Sequence, residues 1–164
     1  MTTCIQCKTP DPTPRTEDHR YVEGGLPNVI LLDMTFRRCA KCGHDAIIIP
    51  RLEGLHRAIA LAVIRKHGRL TGAEVRYLRK TLDLTTADFA RLIGVGPAKV
   101  SDWEIGPPSI DPGYDRLLRL MVSYMESIGG FDVHEVFPAV EQERPDEELK
   151  FAPRPSGWLQ VIPD

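Results

Sequence analysis

Four cysteines in two pairs, Cys4-x2-Cys7 and Cys39-x2-Cys42, constrain this chain more than any other feature. A CxxC turn aims two sulfurs at one point, and two such knuckles complete a closed tetrahedral thiolate shell that holds a structural metal. Gly43, directly after the second pair, lets the backbone turn there. The ligand set points to one zinc per chain, bound by Cys4, Cys7, Cys39 and Cys42; iron suits the same four sulfurs. His44 stays outside a shell that the thiolates already fill. With no open position the metal has no chemistry to perform. Residues 1–50 hold few apolar side chains, so metal binding is expected to supply much of their folding free energy. No thioredoxin-like βαβ pattern accompanies either pair, which argues against a redox role.

Within that segment, a Pro/Asp/Thr-rich loop (residues 9–18) precedes a β-rich run from His19 to Ile49, broken at Gly24-Gly25 and Lys41-Cys42-Gly43, which reads as a few short strands. Val29, Ile30, Leu31 and Leu32 are consecutive, and so small a domain can hardly bury both faces of such a strand. Tyr21, Val29, Leu31 and Phe36 are therefore expected to present an edge or patch to a protein partner. Two alternatives would bury the run within the chain: packing on the next helix through Leu52, Leu55 and Ile59, or a cover supplied by the apolar patch at Trp158.

From Arg51 the period becomes helical, with Leu52, Leu55, Ile59, Ala62 and Val63 on one face, cations at 65–67 and Gly68 as a cap, giving a linking helix over residues 51–68. Residues 69–129 read as helices throughout, with N-caps at Thr71 and Thr85 and a carboxylate three positions after each. Asp111-Pro112 opens another helix, whose stripe Tyr114, Leu117, Leu118, Met121, Tyr124, Met125 and Ile128 is expected to be core, leaving Leu120 as a candidate dimer contact. Residues 130–164, with five prolines and eight acids, read as an extended or disordered tail.

The stretch from Thr86 to Ile105 fits a helix-turn-helix. Phe89, Ile93, Val95, Val100 and Trp103 are inward, Ala90 is small where two helices approach, and Gly94 takes a left-handed turn. Pro97 opens the second helix, and Ala98, Lys99, Ser101 and Asp102 face outward as candidate contacts in a major groove. Lys99 would reach a guanine or a phosphate, and Ser101 a base edge or a phosphate oxygen. Asp102 would accept from cytosine or remain a surface residue. Thr85 and Thr86 open a helix whose N–H groups can take a phosphate, although plain capping explains them as well. Arg91 would position the DNA backbone, whereas Arg76, Arg79 and Lys80 read as a solvated face. The net charge of −2 hides a gradient: residues 63–130 carry ten Lys/Arg against eight Asp/Glu, and residues 131–164 three against eight. No apolar run is long enough for a membrane span and no signal peptide opens the chain, so a cytoplasmic protein is expected. No nucleophile in a recognisable setting and no phosphate-cradling loop occur, so an enzyme is not expected.

From Met1 to about Ser127 the order of CxxC, spacer, CxxC, linking helix and helix-turn-helix resembles the zinc-finger/helix-turn-helix antitoxins of the MqsA (YgiT-type) family. The segments LTGAEVRYLRKTLDLTTADFARLIGV and VSDWE resemble XRE-family repressors. The resemblance implies an α+β chain made of a zinc module (1–50), a linking helix (51–68) and a DNA-binding domain (69–129), and says nothing of the acidic, Pro-rich tail (130–164). It also implies a structural zinc, a zinc module that binds a small toxin, a homodimer on a palindromic operator, and Glu104 as a partner inside the fold. Such a chain would be the autorepressor of a type II toxin–antitoxin pair. A stand-alone regulator, or an interaction module without a toxin, is the alternative. The family often carries an arginine where this chain has Asp102.

Overall fold

The structure, a computed structural model, describes residues 3–10, 13–107, 109–127, 129–142 and 147–162. It is α+β. Three antiparallel strands come first, β1 (Thr13–Arg20), β2 (Val29–Arg38) and β3 (Asp45–Ile48). Five helices follow: α1 (Leu52–Arg65), α2 (Gly72–Thr81), α3 (Thr86–Ile93), α4 (Pro97–Ile105) and α5 (Pro112–Met125). Short α6 (Val133–Ala139) leads to the hairpin β4 (Leu149–Arg154) and β5 (Gly157–Val161).

β2 is the hub of the sheet. One edge pairs with β1; the other is shared between β3, along Thr35–Arg38, and β4, which runs parallel along Val29–Leu31. Asp33 adopts a left-handed backbone (φ 53°), its N–H held by the Asp18 carboxylate at 3.0 Å, and the β1 register slips between Glu17 and His19. This bulge adds one residue, so Val29, Leu31 and Met34 are all buried although their spacing is two and then three.

One face of the consecutive apolar run, Val29 and Leu31, is thus buried inside the chain, while Ile30 and Leu32 on the other face are half-buried. Tyr21, Val29 and Leu31 belong to the core, with Val29 and Leu31 at 1% and 0% exposure, so the expected partner patch is corrected: these side chains cannot meet a partner. Phe36 is half-buried beneath the Arg15 guanidinium, 5.0 Å from its ring centre. Both alternative covers operate together. Leu55 and Ile59 of α1 share the core cluster with Val29 and Leu31, while Leu52 is exposed.

The second cover comes from the chain's last residues, which correct the expectation of a disordered tail. β4 takes the stretch of β2 that β3 leaves unpaired, Phe151 is fully buried, and Trp158 Nε1 donates to the Pro50 carbonyl at 3.0 Å. The first strand likewise starts at Thr13, inside the stretch read as a loop. Among the described residues one cluster of buried side chains runs from Tyr21 and Leu31 through Leu55 and Ile59 to Leu78, Trp103 and Leu118, which makes α1 central to the core.

The helix caps follow the sequence. Thr71 and Glu74 complete a reciprocal capping box, Thr85 Oγ accepts from the Asp88 N–H, and Gly94 (φ 76°) closes α3. The face of α5 does not. Its buried side chains are Asp115, Leu118, Arg119 and Val122, whereas Leu117, Leu120, Met125 and Tyr124 are exposed, Tyr124 at 87%. The expected apolar stripe is therefore split: Leu118 is core and Tyr114 and Met121 pack against the core, whereas Leu117, Tyr124 and Met125 face solvent in the monomer; Ile128, its last member, lies outside the described residues.

Candidate metal centre and nucleic-acid interface

The two cysteine knuckles have the same backbone. In each, the residue after the second cysteine donates its N–H to the carbonyl of the first: Lys8 to Cys4 and Gly43 to Cys39, both at 2.9 Å. Each first cysteine donates in turn to the carbonyl five residues on, Cys4 to Thr9 and Cys39 to His44. Lys8 (φ 58°) and Gly43 (φ 71°) hold the left-handed position; glycine does so freely and Lys8 at a cost. The four Sγ atoms lie within 4.8 Å of one another, with Cys4–Cys42 at 3.6 Å and Cys7–Cys39 at 3.5 Å. A disulfide needs about 2.05 Å, whereas a tetrahedral ion bonded to sulfur at about 2.3 Å spaces its ligands about 3.8 Å apart. The four thiols are unbonded to one another and fit a metal ion.

Their electrostatics suit a cation. The Thr9 hydroxyl, 3.2 Å away, and its N–H hold the Cys7 thiol down to about 6. The Cys7 and Gln6 N–H groups lower Cys4 against the effect of its burial. At Cys42 the His44 N–H pulls downward, but burial and the three neighbouring sulfurs push the thiol up to about 12. A bound cation would take the place of the protons that these coupled thiols share.

The second candidate surface lies on α3 and α4. Val100 and Trp103 are buried, and Pro97, Ala98, Lys99 and Asp102 are exposed, with Ser101 half-buried. The N-terminus of α4 and its outward face are therefore open. Thr85 is exposed, but its hydroxyl serves Asp88 twice, accepting the N–H at 3.1 Å and donating to the carboxylate at 2.6 Å. Capping is what the Thr85 side chain does. Thr86, the first residue of α3, lines a cleft of about 250 Å3 with Arg76, Lys80, Ser101 and Ile105. Arg91 is exposed and paired with Asp88 at 2.9 Å. The Thr85 hydroxyl first, then Arg91, holds the Asp88 carboxyl below its ordinary range.

No family model, curated protein or solved structure matches the chain.

Two arrangements escaped the sequence. Arg79, read as solvated, is buried and grips Glu104 through Nε at 2.6 Å and Nη2 at 3.1 Å, and Arg76 adds a third contact at 3.2 Å. Glu104 thus fastens α4 to α2. Lys99 is not free either: its ammonium meets the Asp111 carboxylate at 2.9 Å and stands over the rings of Trp103 and Tyr114 at 5.5 and 5.4 Å. The i,i+3 charges Asp88 and Arg91 were visible in sequence, but the Lys99–Asp111 contact joins two helices across a turn and carried no local signal.

Proposed function

We propose that this chain is a duplex-DNA-binding transcriptional regulator in which α4 enters the major groove and a single structural zinc ties the two cysteine knuckles together. The observation that carries the proposal is the disposition of α4: Val100 and Trp103 anchor it, while Pro97, Ala98, Lys99 and Asp102 at its N-terminus and along its outward face are exposed. The tight turn at Gly94 and the close approach of Ala90, fully buried, support the same assignment. Zinc is favoured by four thiolates in a closed shell.

The protein is proposed to act as a homodimer. A row of Leu117, Leu120 and Tyr124, at spacings of three and four, is exposed on α5 and would serve as a helix-pairing face. Among the described residues no helix is long and apolar enough to cross a membrane.

An antitoxin needs a second surface for its toxin. Burial of Tyr21, Val29 and Leu31 removes the surface first expected for it and favours the second reading, a stand-alone regulator. Co-purification of the full chain with the product of an adjacent gene decides between them: a retained small protein supports the antitoxin, and none supports the stand-alone regulator. DNA binding itself is tested by titrating the full chain into a labelled duplex from the region upstream of its own gene. Tight binding that weakens steeply with salt and outcompetes mixed-sequence duplex is expected. Absence of binding at low salt overturns the proposal.

A further inference from the structure

The exposed face of α3 and α4 carries its positive charge already matched. Arg91 is paired with Asp88, Arg76 with Glu104, and Lys99 with Asp111. The first pair lies within α3, and the second joins Arg76 of the neighbouring α2 to α4. The third is different in kind. Lys99 lies on the outward face of α4, where a side chain would ordinarily extend into solvent. Instead it folds back over two aromatic rings to reach a carboxylate at the N-cap of α5. Asp111 accepts no hydrogen bond from the N-terminal N–H groups of α5, so its carboxylate is not spent on capping, and it is about half exposed, as is Lys99.

We infer that Asp111 is an intramolecular competitor for Lys99, a latch that holds the lysine on its own domain until a phosphate or a base edge of duplex DNA displaces the carboxylate. The inference rests on the proposed DNA-binding role of α4. The geometry supplies three stabilising contacts to the ammonium in its folded-back position: one carboxylate and two ring faces. Moving Lys99 onto DNA exchanges one anion for another. The ring contacts and the ion pair must be given up at the same time, so the lysine contributes less to affinity than a free one would. Asp111 is also an anion beside the surface that approaches DNA, and its effect divides into a part that acts through Lys99 and a part that is direct repulsion. Only the first is the latch. The contact, through the Asp111 carboxylate first, also raises the pKa of the Lys99 amine above its ordinary value.

The test is a double-mutant cycle in the full-length protein, read by fluorescence anisotropy on a labelled mixed-sequence duplex and on the upstream duplex, at low salt. Asp111→Asn keeps a residue that suits an N-cap and removes the charge. It is expected to tighten binding about two- to five-fold, the range of an exposed lysine–carboxylate pair, and to leave the thermal midpoint close to wild type. In a Lys99→Ala background the same substitution should tighten binding less, by the direct-repulsion part alone. Asp102→Asn, which removes a charge from α4 without touching Lys99, serves as the control for direct repulsion. An unchanged or weaker affinity for Asp111→Asn overturns the latch, and so does equal tightening with and without Lys99. If neither wild type nor Asp111→Asn binds either duplex, the DNA-binding role itself fails. The latch has a DNA-independent readout as well. Acetylation of Lys99 by a water-soluble acylating reagent, followed by peptide mass spectrometry, should be faster in Asp111→Asn than in wild type, and equal rates would contradict the contact.

Discussion

Arg119 and Asp115, one turn apart on α5, form an ion pair that is wholly removed from solvent, with Nε to Oδ1 at 2.6 Å. Arg119 also donates to the carbonyls of Ile64, Lys66 and Gly68, and the Asp115 carboxylate accepts the Leu70 N–H at 2.7 Å. The pair thus satisfies the carbonyls that α1 leaves unpaired at its C-terminus and the first N–H of the segment leading into α2. The pair ties α5 to the end of α1 and to the turn that leads into α2.

Removing Arg119 strands a buried carboxylate and three carbonyls. Arg119→Ala should destabilise the protein by about 3–5 kcal/mol, the usual penalty for breaking a buried pair from one side. Urea unfolding followed by Trp fluorescence measures it; a loss below about 1 kcal/mol, the scale of an exposed pair, would show that the network is not holding α1 to α5.

Gly72 marks a second close contact. A Cβ placed there would lie 2.7 Å from the Trp103 carbonyl oxygen and 2.8 Å from that of Glu104, so the start of α2 touches the backbone of α4. Gly72→Ala should cost about 1–3 kcal/mol as an overpacked site does, and should loosen the Glu104–Arg79 clasp beside it. A lowered thermal midpoint with faster amide exchange in α4 is the expected outcome, whereas an unchanged midpoint would mean that α2 and α4 can separate freely.

His56 makes stability depend on pH. Tyr77 Oη donates to the His56 carbonyl at 3.1 Å and can then accept from Nδ1, also at 3.1 Å, which leaves Nε2 to accept from Tyr21 Oη at 3.2 Å. This is the neutral ring, and burial lowers its pKa. Because the folded value lies below the unfolded one of about 6.5, stability is complete above that pH. It is lost as pH falls, while the unfolded chain takes up a proton that the folded ring resists. Chemical denaturation at pH 7.5 and at pH 5.5 should show a smaller pH loss in His56→Gln than in wild type; equal losses would place the effect elsewhere.

Metal analysis of protein purified without chelator should give one equivalent of zinc per chain, and Cys39→Ser should lose it. The knuckles sit at the outer ends of β1, β2 and β3, while the other half of β2 is held by β4 and the core. Loss of metal should therefore raise amide exchange around residues 4–9 and 39–48 and leave the helices intact by circular dichroism. Less than half an equivalent of zinc, or wild-type exchange in the variant, would contradict a structural zinc.

The parts of the fold that were legible in sequence are those with a local signature. CxxC spacing brought four sulfurs together, Thr71 and Thr85 marked helix starts, and Gly94 marked a turn. Pairing between distant segments was not legible. Nothing near residues 149–151 says that they lie beside Val29–Leu31, because a short parallel contact depends on an open strand edge more than a hundred residues away. The phase of α5 was misread for a related reason. Counting apolar residues assigns Tyr124 inward, but the buried face is fixed by Asp115 and Arg119, whose burial makes sense only once the carbonyls of Ile64 and Gly68 are in place. Lys99 faced outward as expected, and only the fold brought Asp111 to it.

Hydroxyl-radical footprinting of the full chain on the DNA upstream of its own gene tests the central claim most directly. A dimer that reads with two copies of α4 should protect two related patches about 34–36 Å apart, or a multiple of that spacing, on a palindromic or near-palindromic sequence. Uniform cleavage at protein concentrations that saturate other regulators, or protection without a preferred position, would contradict it.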